Sequence, residues 1–174
     1  MNIKPRNFSA TLAAGLVAML VTQVQAADYF LRIDGIPGES VDERHAGQIE
    51  VAAWSVAATP SATSGKIRTA CINNISFVKM LDKASPLLLA NAVSGMVIPT
   101  ATLVAVKPLG TAAPFEYLRM ELKDVVITSV GDSGSGGGQA MENVQFAFGS
   151  LNLQYKSQAD GNTQLIQTTV KGGC

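Results

Sequence analysis

From Tyr29 onward, apolar residues recur mainly at every second position, the period of a half-buried strand. Tyr29, Leu31 and Ile33 share one face, with Phe30, Arg32 and Asp34 on the other. In "QIEVAAWSV", Ile49, Val51 and Ala53 alternate against Glu50, Ala52, Trp54 and Val56. A Thr/Ser/Pro/Gly-rich stretch, Thr59 to Gly65, reads as a loop. Further strands are predicted over 67–78, 97–106, 115–130 and 141–155.

The last two of these change phase. Leu118, Met120 and Leu122 are apolar at even positions, then Val125 and Ile127 at odd ones. Val144, Phe146 and Phe148 give way in the same manner to Leu151, Leu153 and Tyr155. Such a switch predicts β-bulges and a curled sheet, with Gly149 at the second one. One helix interrupts the strands in "DKASPLLLANAVSG". Ser85 suits its N-cap, Pro86 its first turn and Gly95 the residue past its end. Its body, Leu87 to Val93, is apolar on most sides, so it needs more than one neighbour to cover it.

The N-terminal region is of another kind. Lys4 and Arg6 precede an uncharged apolar run from about Ala10 to Val21, followed by "TQVQA-AD". Basic, apolar and small-residue zones in that order predict a secretory signal peptide over 1–26, cleaved after Ala26. The run is short of the about 20 residues that span a bilayer. A start at Met19 is the alternative. Residues 27–174 are then a single domain of ordinary size, secreted or periplasmic, with no membrane span after cleavage.

Net charge is +0, from 13 basic and 13 acidic residues, with no basic stripe for nucleic acid. Charged residues make up only 15% of the chain, sparse enough to suggest that another subunit covers part of the surface. Cys71 and Cys174 are the two cysteines. Outside the cytoplasm they could pair, closing a loop of about 100 residues at up to roughly 4–5 kcal/mol in the chain-entropy model. The competing reading leaves Cys71 in a strand and Cys174 on the tail.

Candidate chemistry is thin. His45 is the sole histidine, and neither HExxH nor CxxC occurs, so no metal or cofactor is expected. Five ionisable residues crowd one loop: Glu39, Asp42, Glu43, Arg44 and His45. An acid/base cluster there is weaker than a solvated loop. "GDSGSGGGQ", Gly131 to Gln139, lacks the Gly-Lys-Ser/Thr ending of a phosphate loop and precedes a strand, so a hairpin tip is expected. No G-x-S-x-G is present, and no enzyme is expected.

"DYFLRIDGIPGESVDERHAGQIEVAAWS", "ISFVKMLDKASPLLLANAVSGMVIPTATL", "FEYLRMELKDVVITSVGDSGSGGG" and "MENVQFAFGSLNLQYKSQADG" together resemble the Hcp family, the haemolysin-coregulated proteins of type VI secretion systems. The resemblance runs in order through nearly all of residues 27–174. It implies a mainly β fold, a small β-barrel of two packed antiparallel sheets with one flanking α-helix. It also implies a structural role: six subunits in a ring, rings stacked into a tube, with effector proteins carried in the lumen. The Gly38–Gly47 loop, with Glu39, Asp42, Glu43, Arg44 and His45, would then be a ring-to-ring contact, and the spike, sheath and effector proteins would be partners. A signal peptide is foreign to typical members. "SVAATP" stands after Trp54 where many carry Trp-Gly, and the tail lacks a Gly-Trp/Tyr pattern. The alternative is a periplasmic or secreted, non-catalytic binding module that has kept the fold but not the tube role.

Overall fold

The computed structural model describes residues 28–63, 66–109, 112–159 and 162–173; the predicted leader, 1–26, lies outside them. Along the described chain run β1 (Asp28–Ile33), β2 (Ile49–Val51), β3 (Ala53–Thr63), β4 (Lys66–Met80), α1 (Ser85–Ser94), β5 (Val97–Leu109), β6 (Ala112–Ser133), β7 (Met141–Ala147), β8 (Ser150–Ala159) and β9 (Asn162–Lys171). Every ladder is antiparallel, in the order β2-β1-β5-β6-β7-β4-β3, with β8 on β6 and β9 on β8. Among the described residues no ladder joins β2 to β3, yet these two ends of the path are consecutive in the chain. They meet at Ala52, whose N–H donates to the Val78 carbonyl at 2.8 Å. The sheet thus wraps around one core cluster, to which β1, β2, β4, β5, β6, β7, β8 and α1 all contribute. This is the mainly β, antiparallel, one-helix fold expected, though among the described residues the strands form one nine-stranded sheet whose ladder path does not close, rather than two sheets.

The phase switches are where the sequence puts them, but their cause differs. Met120 and Leu122 are buried, and so are Val125 and Ile127; Phe146 and Phe148 are buried, and so is Leu151. Lys123 pairs with Ser150, and Val126 with Ala147. Both strands advance by three between these pairs, so neither has gained a residue. The turn in face is a shared kink, and the bulge-type register shift on β6 falls just after it, between Ile127 and Ser129. Asp124 takes a left-handed φ of 54°, uncommon for a residue other than glycine. On β5, Pro99 stands between the partners of Lys123 and Val125 and has no N–H to donate there. The result is that one long strand, β6, serves β8 with its first half and β7 with its second.

Two sequence expectations need correcting. Thr59 to Thr63 is strand, not loop, with Pro60 opposite Ala70. Among the described residues β3 pairs with β4 alone, so a proline is tolerated at this edge. The alternation of 49–56 also breaks at Ala52: Ile49 and Val51 are buried, Ala53 is exposed, and Trp54 and Val56 pack against the core instead. The chain leaves β1 for β4 at that residue and turns its face as it does so.

Candidate functional site

The charged loop is a built structure. Gly38 N–H donates to the Gly47 carbonyl (2.8 Å), Gly47 N–H to Ser40 (2.8 Å) and Ser40 N–H to Gln48 (3.0 Å). Gly38 lies so close against Gln48 and Ile49 that a Cβ would overlap their backbone, which accounts for glycine in "PGES". Asp42 Oδ1 accepts the N–H groups of Arg44 (2.9 Å) and His45 (3.0 Å), an Asx turn that fixes the tip. Arg44 Nη1 donates to the Pro114 carbonyl at 3.0 Å, and Glu39 Oε1 accepts the Lys83 N–H at 3.0 Å. His45 is half-buried, not solvated. Its ring stacks on Phe30 with centroids 4.3 Å apart, and its Nδ1 is buried without a partner.

That stack explains why Phe30 is buried on the polar face of β1. Phe30, Val104 and Val106 form a small second cluster outside the main core. Beside it, Arg32, Arg44, His45, Glu116 and Arg119 line a cleft of about 340 Å³. Arg119 is held by Glu116 through two bonds of 2.8 and 3.0 Å. Glu39, Asp42, Arg44 and His45 are therefore all engaged with their own chain. Glu43 makes no hydrogen bond or ion pair among the described residues, and beside it Val41 is 92% exposed. The loop's side chains do not form the geometry of an acid/base pair.

A second charged group escaped the sequence reading. Lys79 and Glu142 are each 1% exposed. Lys79 Nζ reaches Glu142 Oε2 (2.8 Å), Asp82 Oδ1 (2.9 Å), Ser85 Oγ (3.0 Å) and the Met80 carbonyl (2.8 Å). Ser85 Oγ donates to Glu142 Oε2 at 3.2 Å. This cage fastens the start of α1 to β4 and β7. The signal was in the alternation: Lys79 is in phase with Ile75 and Phe77, and Glu142 with Val144 and Phe146, all buried.

The helix begins with Ala84 as cap residue, Ser85 being taken into the cage, and ends at Gly95 in the left-handed region as expected. Only Ser85 and Leu88 within it are buried. Leu89 (51%), Val93 (83%) and Met96 (59%) are open to solvent, so the described residues do not supply the expected cover. The glycine-rich stretch is a hairpin connection from β6 to β7, with a turn closed by Gly138 N–H on the Ser135 carbonyl at 3.1 Å. Among the described residues no group of three or more His, Cys, Asp or Glu comes together to hold a metal, and no helix is long and apolar enough to cross a membrane. Cys71 lies in β4; Cys174, and with it the question of whether the two cysteines pair, lies outside the described residues.

The family model "Type VI secretion system effector, Hcp" matches residues 30–155. The chain belongs to the Hcp family. It is 36% identical to protein Hcp1 of Pseudomonas aeruginosa over 143 residues, 78% of this chain and 88% of that one. Its fold matches Hcp1 of Salmonella typhimurium with a TM-score of 0.69 at 33% identity, covering 84% of this chain and 94% of the other. A type VI secretion system effector from Yersinia pestis gives 0.68 at 32%, covering 83% and 99%. The matched region begins on β1 and takes in the loop, the cage and α1, so all the surfaces described above lie within the Hcp-like part of the chain.

Proposed function

We propose that this Hcp-family chain is a structural subunit that assembles with copies of itself into a hexameric ring of the type VI secretion tube, without enzymatic activity. The observation that carries the reading is the uncovered apolar surface on and beside α1, in a chain with few charges. Burying Leu89, Val93 and Met96 against another subunit gains about 25 cal/mol for each Å² of apolar area removed from water. The self-anchored loop supports a contact role as well. Its backbone pins hold Val41 and Glu43 outward in a fixed shape, so a neighbour would meet a preformed surface. Export through the leader of residues 1–26, and association with spike, sheath or effector proteins, belong to the same reading.

Size-exclusion with light scattering tests the ring directly: the expected species is a hexamer. Glu43→Lys should change ring stacking and its salt dependence while leaving the melting temperature in place, since an exposed-loop substitution costs within about 0.5 kcal/mol. A strictly monomeric protein at high micromolar concentration overturns the ring and favours a binding module on the same fold. Mass spectrometry of the natural N-terminus tests export; peptides from residues 1–18 in the mature protein would end it.

A further inference from the structure

We propose that the cleft between the Gly38–Gly47 loop and the outer face of β1, β5 and β6 is a binding site for a phosphate-type oxyanion. Its walls carry Arg32 from β1, Arg44 from the loop and Arg119 from β6, against one carboxylate, Glu116. The register places them: Arg32 lies opposite Thr102 on β5, and Val104, two residues on, lies between Phe30 on β1 and Arg119 on β6. Glu116 is committed, because its two oxygens accept from Arg119 at 2.8 and 3.0 Å. Arg44 uses one side-chain N–H on the Pro114 carbonyl, and exposed Arg32 makes no hydrogen bond or ion pair among the described residues. Two positive charges on the walls are therefore left without a counter-charge. The nearest acids on the same face lie outside the cleft: Glu121, opposite Thr102, stands 3.6 Å from Lys123, and Glu50, opposite Phe30, lines another cavity.

The hydrogen-bonding character of the walls points the same way. A guanidinium only donates. Of the acceptors on the walls, the Glu116 carboxylate and the Pro114 carbonyl already serve Arg119 and Arg44. What remains is a surface rich in donors and positive charge, which suits an acceptor-rich anion. The donors are also held in place: the Asx turn at Asp42 fixes the backbone of Arg44, and its guanidinium is pinned at Pro114. Such fixing lowers the ordering cost of binding. The floor is apolar, formed by Val104, Val106 and the Phe30 ring stacked on His45. Charges of one sign over low-dielectric walls attract a counter-ion more strongly than the same charges on open surface.

Phosphate fits this site better than a carboxylate does. Its dianion matches the two free charges, and its oxygens can meet two guanidinium forks from different sides. A carboxylate carries one charge and two oxygens in one plane, enough for a single fork. The volume of about 340 Å³ is at the low end of small-ligand cavities, about 300–1,000 Å³, and holds phosphate with room for a small organic group. Free phosphate and a phosphomonoester thus present the same chemistry to the cleft. All the groups involved belong to one chain, so the site does not depend on ring assembly.

Equilibrium dialysis of the full chain against radiolabelled inorganic phosphate, with chloride holding the ionic strength constant, should show saturable binding at one site per chain. Glycerol 3-phosphate competing more tightly than unlabelled phosphate assigns the site to an ester; equal or weaker competition assigns it to the free ion. Acetate should compete about tenfold more weakly or worse, since it leaves one guanidinium unpaired. Arg32→Gln should weaken phosphate binding by about tenfold and leave the melting temperature in chloride unchanged. Phenylglyoxal labelling of the wild type, read by peptide mass, should show phosphate protecting both Arg32 and Arg44, a readout that needs no variant. No saturable binding, acetate competing as well as phosphate, wild-type affinity in Arg32→Gln, or protection of fewer than both arginines would each overturn the site.

Discussion

Replacing Lys79 by methionine isolates what the buried cage contributes. The side chain is nearly isosteric and fully enclosed, so the change removes the charge with little change in volume. Four polar contacts of 2.8–3.0 Å to Nζ vanish at once. Glu142 is left buried with Oε2 holding only the Ser85 hydroxyl, and its Oε1 already lacks a partner. Breaking a buried pair by removing one member costs about 3–5 kcal/mol, mostly the penalty of the abandoned charge. At an m-value of about 2 kcal/mol/M, the urea midpoint should fall by about 1.5–2.5 M. The double variant Lys79→Met with Glu142→Leu removes the fully buried acid as well; Asp82 loses its ion partner but is 12% exposed and still accepts the Ala84 N–H at 2.9 Å, so much of the loss should be recovered, since buried pairs replaced by apolar residues are often neutral. Equilibrium urea unfolding of wild type, single and double variants closes the comparison. A single variant within about 1 kcal/mol of wild type, or a double variant no more stable than the single, would refute the view that the cage is a closed charge pair holding the helix down.

Gly172→Ala should destabilise the protein by about 1–3 kcal/mol through overpacking against Phe148, with the Gly173 amide losing hydrogen-exchange protection first. Wild-type protection at that amide would mean the chain end does not need its glycine. Alkaline titration should expose Tyr117, whose phenol is pushed up to about 12, first by burial and then by the hydrogen bond and charge of Tyr29 and the charge of Tyr155. The unfolded chain loses this proton near pH 10 while the folded chain keeps it, so stability should fall between about pH 10 and 12. Tyr117→Phe should flatten that fall; an unchanged slope would show that another group causes it.

Fold class, the change of face in the strands and the C-terminal end of the helix could be read from the chain because each rests on local alternation or, for Gly95, on a terminal residue with one conformational job. Ser85 is not the N-cap that its place in the sequence suggests, because its hydroxyl is taken by Lys79 and Glu142. Leu122 and Val125 announce the change of face by their spacing alone. What the spacing could not distinguish is an inserted residue from a left-handed one, because both shift the phase by one; only the register across to β8 and β7 separates them. The missed phase break at Ala52 has a related cause. "VAAWSV" offers a small or apolar residue at every position, and small side chains carry too little hydrophobic contrast to show which face is inward.

The charged loop shows a different limit of the sequence. Five ionisable residues in seven positions look like a solvent-facing surface, yet four of the five are engaged with their own chain. Lys79 and Glu142 look unremarkable in sequence, yet each sits on the inward phase of its strand, where a charge is too costly to leave unpaired. Read together, the two cases say where electrostatic information lies in a β chain. The density of charge along the sequence says little about function. The phase of a charge relative to its apolar neighbours says whether it must have a partner. By that rule Lys79 demands an acid on another inward face, and Glu142, two positions before buried Val144, answers it from the adjacent strand. Glu43, in a loop without alternation and without a partner among the described residues, carries no such demand.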